Sequence, residues 1–358
     1  MRERAGRVQA GGGGPSPVTL RIGTRGSRLA LAQAGWVAQR LPDAELVPIA
    51  SEGDRSSASL TEIGGQGVFA GALRQALLAG EVDVLVHSLK DLPALPAEGI
   101  ELTVPQRADA RDALCVRAAL GAAAPAEGSG TRAAAERSGT TAVVGQNSGD
   151  PGRRGRQQLL SRTSSLDALP AGSRVGTGSP RRQAQLRAHR PDLEVVDIRG
   201  NVDTRLGRLE TDDPHRALDA LVLAAAGLER TNHLEPIAAL LGLTDWPTAP
   251  GQGALAIETR EGQRRLAAKL EHRPSRLATD AERGVLAALG AGCTAPIGAH
   301  ALLEDGLLFL SARVYAPDGS TWVTASHALY PEDAADPAHE VAVRVAEELV
   351  AQGAMELA

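Results

Sequence analysis

The sequence predicts an α/β protein of several lobes, on three observations. The chain has 358 residues, more than one core accommodates at roughly 150 residues per domain. From Val18 to His87 short β-rich runs alternate with helical stretches, and the same alternation returns from Ser173 to Ala225. The C-terminal third reads instead as a helix-rich stretch, three β-rich runs and a helix, a small α+β unit.

In order, VTLRIGT predicts a strand, Arg28 to Leu41 a helix, AELVPIA a strand, Val68 to Leu78 a helix and VDVLVH a strand. ELTVP and ALCVRA follow, with a crossing into a second lobe near residues 105 to 112. Residues 118 to 163 are rich in Ala, Gly, Ser and Arg without an apolar period, too little to offset ordering entropy, and are expected to form a disordered insertion. Order resumes with SRVGTG, a helix from Pro180 to His189, LEVVDIRG, a helix from Val202 to Leu209, and DALVLAA. TDWPTAPGQGALAIETR opens on turn residues and ends in an apolar run able to rejoin the first sheet. Arg264 to Leu289 is helix-rich; APIGAHALL, LLFLSARVYAPDGS and TWVTASHALY predict an antiparallel sheet, with a helix from Pro337 to Gln352 packed on it.

Composition narrows the function. No apolar run approaches the roughly 18 to 20 residues of a membrane helix, so a membrane protein is not expected. The aromatics are Trp36, Phe69, Trp246, Phe309, Tyr315, Trp322 and Tyr330, little material for a stacked-ring nucleic-acid surface, and the net charge of −5 argues the same way. Yet Pro151 to Glu210 holds twelve Arg against six acidic residues, so a local anion site survives in an acidic protein. Lys90 and Lys269 are the only lysines, which singles out Lys90. Cys115 and Cys293 lie far apart with no CxxC or Cys/His cluster, so neither zinc nor any other metal is expected. MRERAGRVQAGGGGPSP lacks an apolar h-region and reads as a flexible leader, which places the chain in the reducing cytoplasm.

Four clusters carry chemistry. In RIGTRGSRLALAQA, Ser27 and the amides at a helix start, flanked by Arg25 and Arg28, suit an anion; a capped helix with solvated arginines is the competing reading. His87-Ser88-Leu89-Lys90-Asp91-Leu92-Pro93 follows a strand, where α/β sheets present ligands, although Lys90 and Asp91 could equally be an exposed ion pair. Arg181, Arg182, Arg199 and Arg205 sit where strands give way to helices, against the usual acidic preference there, and can converge on a carboxylate-rich or phosphate-rich ligand; GTGSPRR lacks the GK[ST] of a Walker A loop. Cys293 lies in a loop of small residues, with room for a nucleophile or covalent attachment, though a structural cysteine is the commoner case; Cys115, in an apolar strand, reads as core filling.

Taken in order, RIGTRGSRLALAQ, IGGQGVF, VHSLKDLP, GTGSPRRQAQ, RGNVDTRL, GQGALAIE and GAGCTAPIGA closely resemble the hydroxymethylbilane synthase (porphobilinogen deaminase) family, from Val18 to the C-terminus apart from the insertion. The resemblance implies three domains, two lobes like periplasmic binding proteins with a cleft between them and a small α+β third. It implies boundaries of 1–17 for the leader, 18–110 plus 250–272 for domain one, 111–249 for domain two and 273–358 for the cofactor-bearing third. It implies a transferase that joins four porphobilinogen molecules head to tail, releases ammonium and hydrolyses off hydroxymethylbilane, in haem biosynthesis. The growing chain would hang from a dipyrromethane cofactor in thioether linkage to Cys293. Asp91 matches the catalytic carboxylate; Lys90, Ser88, Arg181 and Arg182 match cofactor contacts; Arg25, Ser27, Arg199, Arg205 and Phe69 match substrate contacts. The implied protein is a monomer that hands its product to uroporphyrinogen-III synthase and binds neither nucleic acid nor membrane. Glu62 and Gln66 depart from the family, whose members often have lysines there; Pro180 and Ala291 are milder departures. A two-lobed binding protein for a carboxylated ligand, without catalysis, is the alternative; it leaves the Cys293 loop unexplained.

Overall fold

The structure is a computed structural model that describes residues 19–50, 68–121, 166–292 and 295–357. Its first sheet has strand order β2-β1-β3-β10-β4, with β1 (Leu20–Thr24), β2 (Ala44–Pro48), β3 (Val84–Ser88), β4 (Ile100–Thr103) and the later β10 (Leu255–Arg260). Strands β1, β2 and β3 run parallel, and β10 enters antiparallel between β3 and β4. Helix α1 (Arg28–Ala38) covers one face of this sheet, where Ala34 and Val37 meet Ile22, Val84 and Ile257. Helix α2 (Val68–Leu78) covers the other through Leu73 and Leu77 on Leu85.

The second sheet repeats the plan. Its order is β7-β6-β8-β5-β9, built from β5 (Asp112–Val116), β6 (Arg174–Gly176), β7 (Glu194–Val196), β8 (Ala220–Ala224) and β9 (Ile237–Leu240). Here β5 is the antiparallel insert, between β8 and β9. Helices α3 (Pro180–His189), α4 (Val202–Glu210) and α5 (Ala225–Thr231) complete the lobe. Cys115 is fully buried in its core, as expected, and burial pushes its thiol up to about 12.

Each lobe's antiparallel strand follows a segment arriving from the other lobe, so two crossings, 104–111 and 241–254, form the hinge. They touch where the Ala108 N–H donates to the Gly253 carbonyl at 3.3 Å. Gly253 has φ +86°, and a Cβ there would lie 2.8 Å from the Ala108 carbonyl, so backbone geometry and contact both demand glycine. The third domain packs α6 (Arg273–Ala288) and α7 (Pro337–Ala351) on an antiparallel sheet of β11 (Ile297–Glu304), β12 (Leu307–Tyr315) and β13 (Trp322–Leu329). It grips the hinge, since the Ala299 N–H donates to the Thr248 carbonyl at 2.9 Å.

Three details differ from the sequence reading. Residues 264–270 form two 3₁₀ turns before α6 rather than continuous helix. Strand β8 runs straight into α5, whose N-cap Ala224 makes no side-chain bond, so the polar signal that marks a helix start is missing and α5 was not read. Strand β9 is a four-residue run paired on one side, too short to show alternation. Of the expected insertion only 118–121 are described, as one helical turn; the leader, Glu62 and Gln66 lie outside the described residues. Among the described residues no helix is long and apolar enough to cross a membrane, and no group of residues could hold a metal ion.

Candidate active site

Strands β1 and β3 are neighbours whose connections leave in opposite directions, which opens a crevice beyond their C-terminal ends. The turn after β1 supplies Arg25 and Ser27, the latter capping α1 by accepting the Ala30 N–H at 3.3 Å. From β3 come Ser88 and the 3₁₀ turn Leu89–Asp91. Together Arg25, Ser27, Gln33, His87, Ser88 and Asp91 line an open cleft. Gln33 fixes Ser88, its amide donating to the hydroxyl at 2.8 Å. Leu89 and Leu92 are buried while Asp91 between them is exposed, so the turn is anchored by its leucines and presents the carboxylate to the cleft.

The second lobe contributes two more loop-to-helix junctions. Ser179 caps α3 and Asn201 caps α4, accepting the Arg182 and Thr204 N–H groups. A Cβ on Gly178 would lie 2.4 Å from the Ile198 carbonyl, so only glycine lets these junctions pack together. Arg199 pairs with Asp197 at 3.2 Å, and the Arg205 Nε donates to the Gly200 carbonyl at 2.8 Å. Burial, then the nearby charges of Arg182 and Arg199, lower the Arg205 pKa, opposed by Asp197 and by Asp91 from the other lobe. The two lobes are also joined directly, Arg28 meeting Asp203 at 2.6 Å and donating to the Thr231 carbonyl at 2.9 Å.

Arg181 and Arg182 do something neither sequence reading anticipated: both are buried against Asp112 at the hinge. Arg181 Nη2 donates to Asp112 Oδ2 at 2.9 Å and Arg182 Nη2 to Oδ1 at 2.7 Å. Trp246 Nε1 and Gln252 Nε2 complete the shell at 2.9 and 2.8 Å. Burial alone would raise the Asp112 carboxyl; Arg182 and Arg181 more than offset it and hold it far below the usual range. Two cations on one anion leave a local excess of positive charge. Lys90, whose ammonium donates to Gln252 Oε1 at 3.2 Å, sits at this cluster, and burial followed by Arg182 lowers its pKa to about 8.

The structure thus brings Arg25, Ser27, Ser88 and Asp91 to one cleft, couples Lys90 to Arg181 and Arg182, and sets Arg199 and Arg205 on the facing lobe with Arg205 in the field of Asp91. Phe69 lies in α2, its side chain outside the description, and Cys293 falls outside the described residues, between α6 and β11. Sequence reasoning missed Asp112, Gln252, Gln33 and the buried Glu258, which His87 and Arg74 contact behind the cleft wall at 3.4 and 2.5 Å. Only the strand-end position of Asp112 could have hinted at it.

Fold and site define a two-lobed α/β protein whose cleft sets Asp91 beside Arg25 and the hydroxyls of Ser27 and Ser88, with Arg199 and Arg205 on the facing lobe and a third domain fixed to the crossings between the lobes. Comparisons with known proteins specify the class. Residues 20–149 and 151–268 match the family described as porphobilinogen deaminase, dipyromethane cofactor binding domain, and residues 277–351 match the porphobilinogen deaminase C-terminal domain. A porphobilinogen deaminase of Leifsonia xyli subsp. xyli is 48% identical, covering 95% of this chain and 94% of its own. Those of Thermobifida fusca and Deinococcus deserti are 41% and 39% identical, each covering 95% of this chain and 95% and 97% of their own. The chain belongs to the porphobilinogen deaminase family.

Proposed function

We propose that this chain is a transferase that joins four porphobilinogen molecules head to tail, with release of ammonium, and hydrolyses off linear hydroxymethylbilane in tetrapyrrole (haem) biosynthesis. The observation that carries the reading is Asp91 exposed in a cleft that it shares with Arg25, Ser27, Gln33, His87 and Ser88, with Arg205 of the facing lobe in its field, in a chain of this family. The alternative of a binding protein without catalysis is not favoured by that membership.

The donor set fits a dipyrromethane cofactor, whose pyrrole N–H groups need an acceptor and whose acidic arms need cations. Cys293 holds it by a thioether, with Lys90, Ser88, Arg181 and Arg182 contributing charge and hydrogen bonds at its arms. When bound, the cofactor supplies a fixed primer with a free pyrrole position for the next unit. Asp91 accepts pyrrole N–H groups and opposes the positive charge that spreads over the substrate as its amine leaves. Arg25, Ser27, Arg199 and Arg205 hold the acetate and propionate arms of substrate and growing chain, since planar guanidiniums pair bidentately with carboxylates. Phe69 is the remaining residue of the proposed substrate set. Domain one comprises residues 18–110 and 250–272, domain two 111–249 and domain three 273–358. The protein works as a cytoplasmic monomer and passes its product to uroporphyrinogen-III synthase.

Intact-protein mass spectrometry tests the reading. Expression in a porphobilinogen-producing host gives wild type a covalent two-pyrrole increment that Cys293→Ser lacks; two identical unmodified masses would exclude the attachment. A second expectation follows from Lys90. With its pKa at about 8, it is charged below that pH and neutral above. A group with that pKa loses about ten-fold of its charged fraction between pH 7 and 9, so KM for porphobilinogen should rise over that range by at most about ten-fold, within the roughly 1.5 to 3 kcal/mol that a hydrogen bond to a charged group contributes. Lys90→Met should show the high KM at both pH values, and an unchanged pH dependence in that variant would remove Lys90 from the binding set.

A further inference from the structure

We infer that Arg283, on the third domain's helix α6, is a positioning residue that holds Asp91 in its working orientation; the inference rests on the reading of Asp91 as the carboxylate that acts on substrate. Arg283 is buried, and its guanidinium faces the backbone of the turn that carries Lys90 and Asp91. Nη1 donates to the carbonyls of Leu89 and Leu92, each at 3.2 Å. Nη2 donates to the carbonyls of Pro93 and Ala94, the latter at 3.2 Å. One planar fork therefore ties both ends of a three-residue turn and the chain leaving it.

The turn needs such a tie. A single 3₁₀ turn fixes little of its own backbone, here through the Leu92 N–H donating to the Leu89 carbonyl at 3.1 Å. Its other backbone anchor is the Leu89 N–H on the Ala254 carbonyl, also at 3.1 Å, which leaves the segment beyond Asp91 to Arg283. Between the two tied leucines Asp91 is the exposed residue, so a tilt of the turn translates directly into a displaced carboxylate.

The helix that carries Arg283 is itself held through the adjacent residue. Glu282 is wholly buried, pairs with Arg107 of the hinge at 2.6 Å and accepts the N–H groups of Gly251 at 2.7 Å and Ala301 at 2.8 Å. Burial would raise its carboxyl, and Arg107 and His300 more than compensate, leaving it at about 2. Adjacent residues of one helix thus lock α6 to the hinge and the Asp91 turn to α6.

The test is steady-state kinetics on Arg283→Met and Arg283→Lys in the cofactor-loaded protein, with loading checked by intact mass and amide exchange followed over residues 89–94. A misplacement near 1 Å costs up to about a hundred-fold, so kcat should fall at least about ten-fold in Arg283→Met with KM within about three-fold. Arg283→Lys should recover part of the loss, and exchange at Leu92 should quicken. On an Asp91→Glu background, where the carboxylate is already displaced, Arg283→Met should cost much less than on the native one. Unchanged kcat in a loaded Arg283→Met protein, or equal losses on the two backgrounds, would overturn the inference. Asp91→Asn in the same assay separates the layers: if it turns over normally, the reading of Asp91 fails first, whereas an inactive Asp91→Asn beside a normal Arg283→Met defeats the positioning role alone.

Discussion

Asp91→Asn should fold, retain affinity for porphobilinogen within about three-fold, and lose about three orders of magnitude in turnover. Loss of the substrate's amine leaves a delocalised cation, and a fixed anion beside it stabilises that charge more in the transition state than in the neutral-ring ground state. Asparagine keeps the shape and one acceptor but removes the charge. Asp91 is exposed on a turn anchored by Leu89 and Leu92, so the substitution disturbs no core contact and should leave the melting temperature unchanged. The positive neighbours, Arg205 across the cleft and Lys90 beside it, lose an opposing anion, so binding of the acidic arms should hold or strengthen. Single-turnover release of ammonium is the direct assay, and a near-native rate would leave the acid/base role without an owner.

The parts of this molecule that were legible in sequence are those whose cause is local. Ser27, Ser179 and Asn201 each stand one residue before a helix, and each caps it. The apolar run around Leu255 was expected to rejoin the first sheet, and it lies between β3 and β4 there. What stayed hidden is set by distant partners. Asp112 opens an otherwise ordinary apolar strand, while the groups that make it a hub lie 69, 70, 134 and 140 residues away. Arginines at the start of α3 looked like a ligand site because they oppose the helix dipole; the structure supplies a nearer answer, an internal carboxylate that two cations share. Ligand and counter-ion readings are compatible, since one carboxylate cannot neutralise two guanidiniums.

That counter-ion makes the second large prediction. Asp112→Asn should destabilise the protein by about 3 to 5 kcal/mol, the cost of stripping one partner from a buried ionic cluster. The carboxylate accepts four hydrogen bonds, two from guanidiniums, one from Trp246 and one from Gln252. Asparagine presents an NH₂ to at least one of those donors and leaves Arg181 and Arg182 facing each other with no anion between them. Because the hub spans β5, α3 and both hinge crossings, the loss falls on the joint between lobes rather than on one lobe's core. The native carboxyl is held well below its unfolded value of about 3.9, so its stabilisation is complete above that pH and is withdrawn only as acid approaches the folded value. The carboxyl's own contribution is therefore the same at pH 6 and pH 8, while Lys90, whose charged form Asp112 favours and whose pKa is about 8, should make the variant's destabilisation somewhat larger at pH 6, read as a shift in urea midpoint with an unchanged slope. A loss below about 1 kcal/mol would mean that the two arginines find their counter-charge elsewhere, and the hinge would then need another explanation for its buried cations.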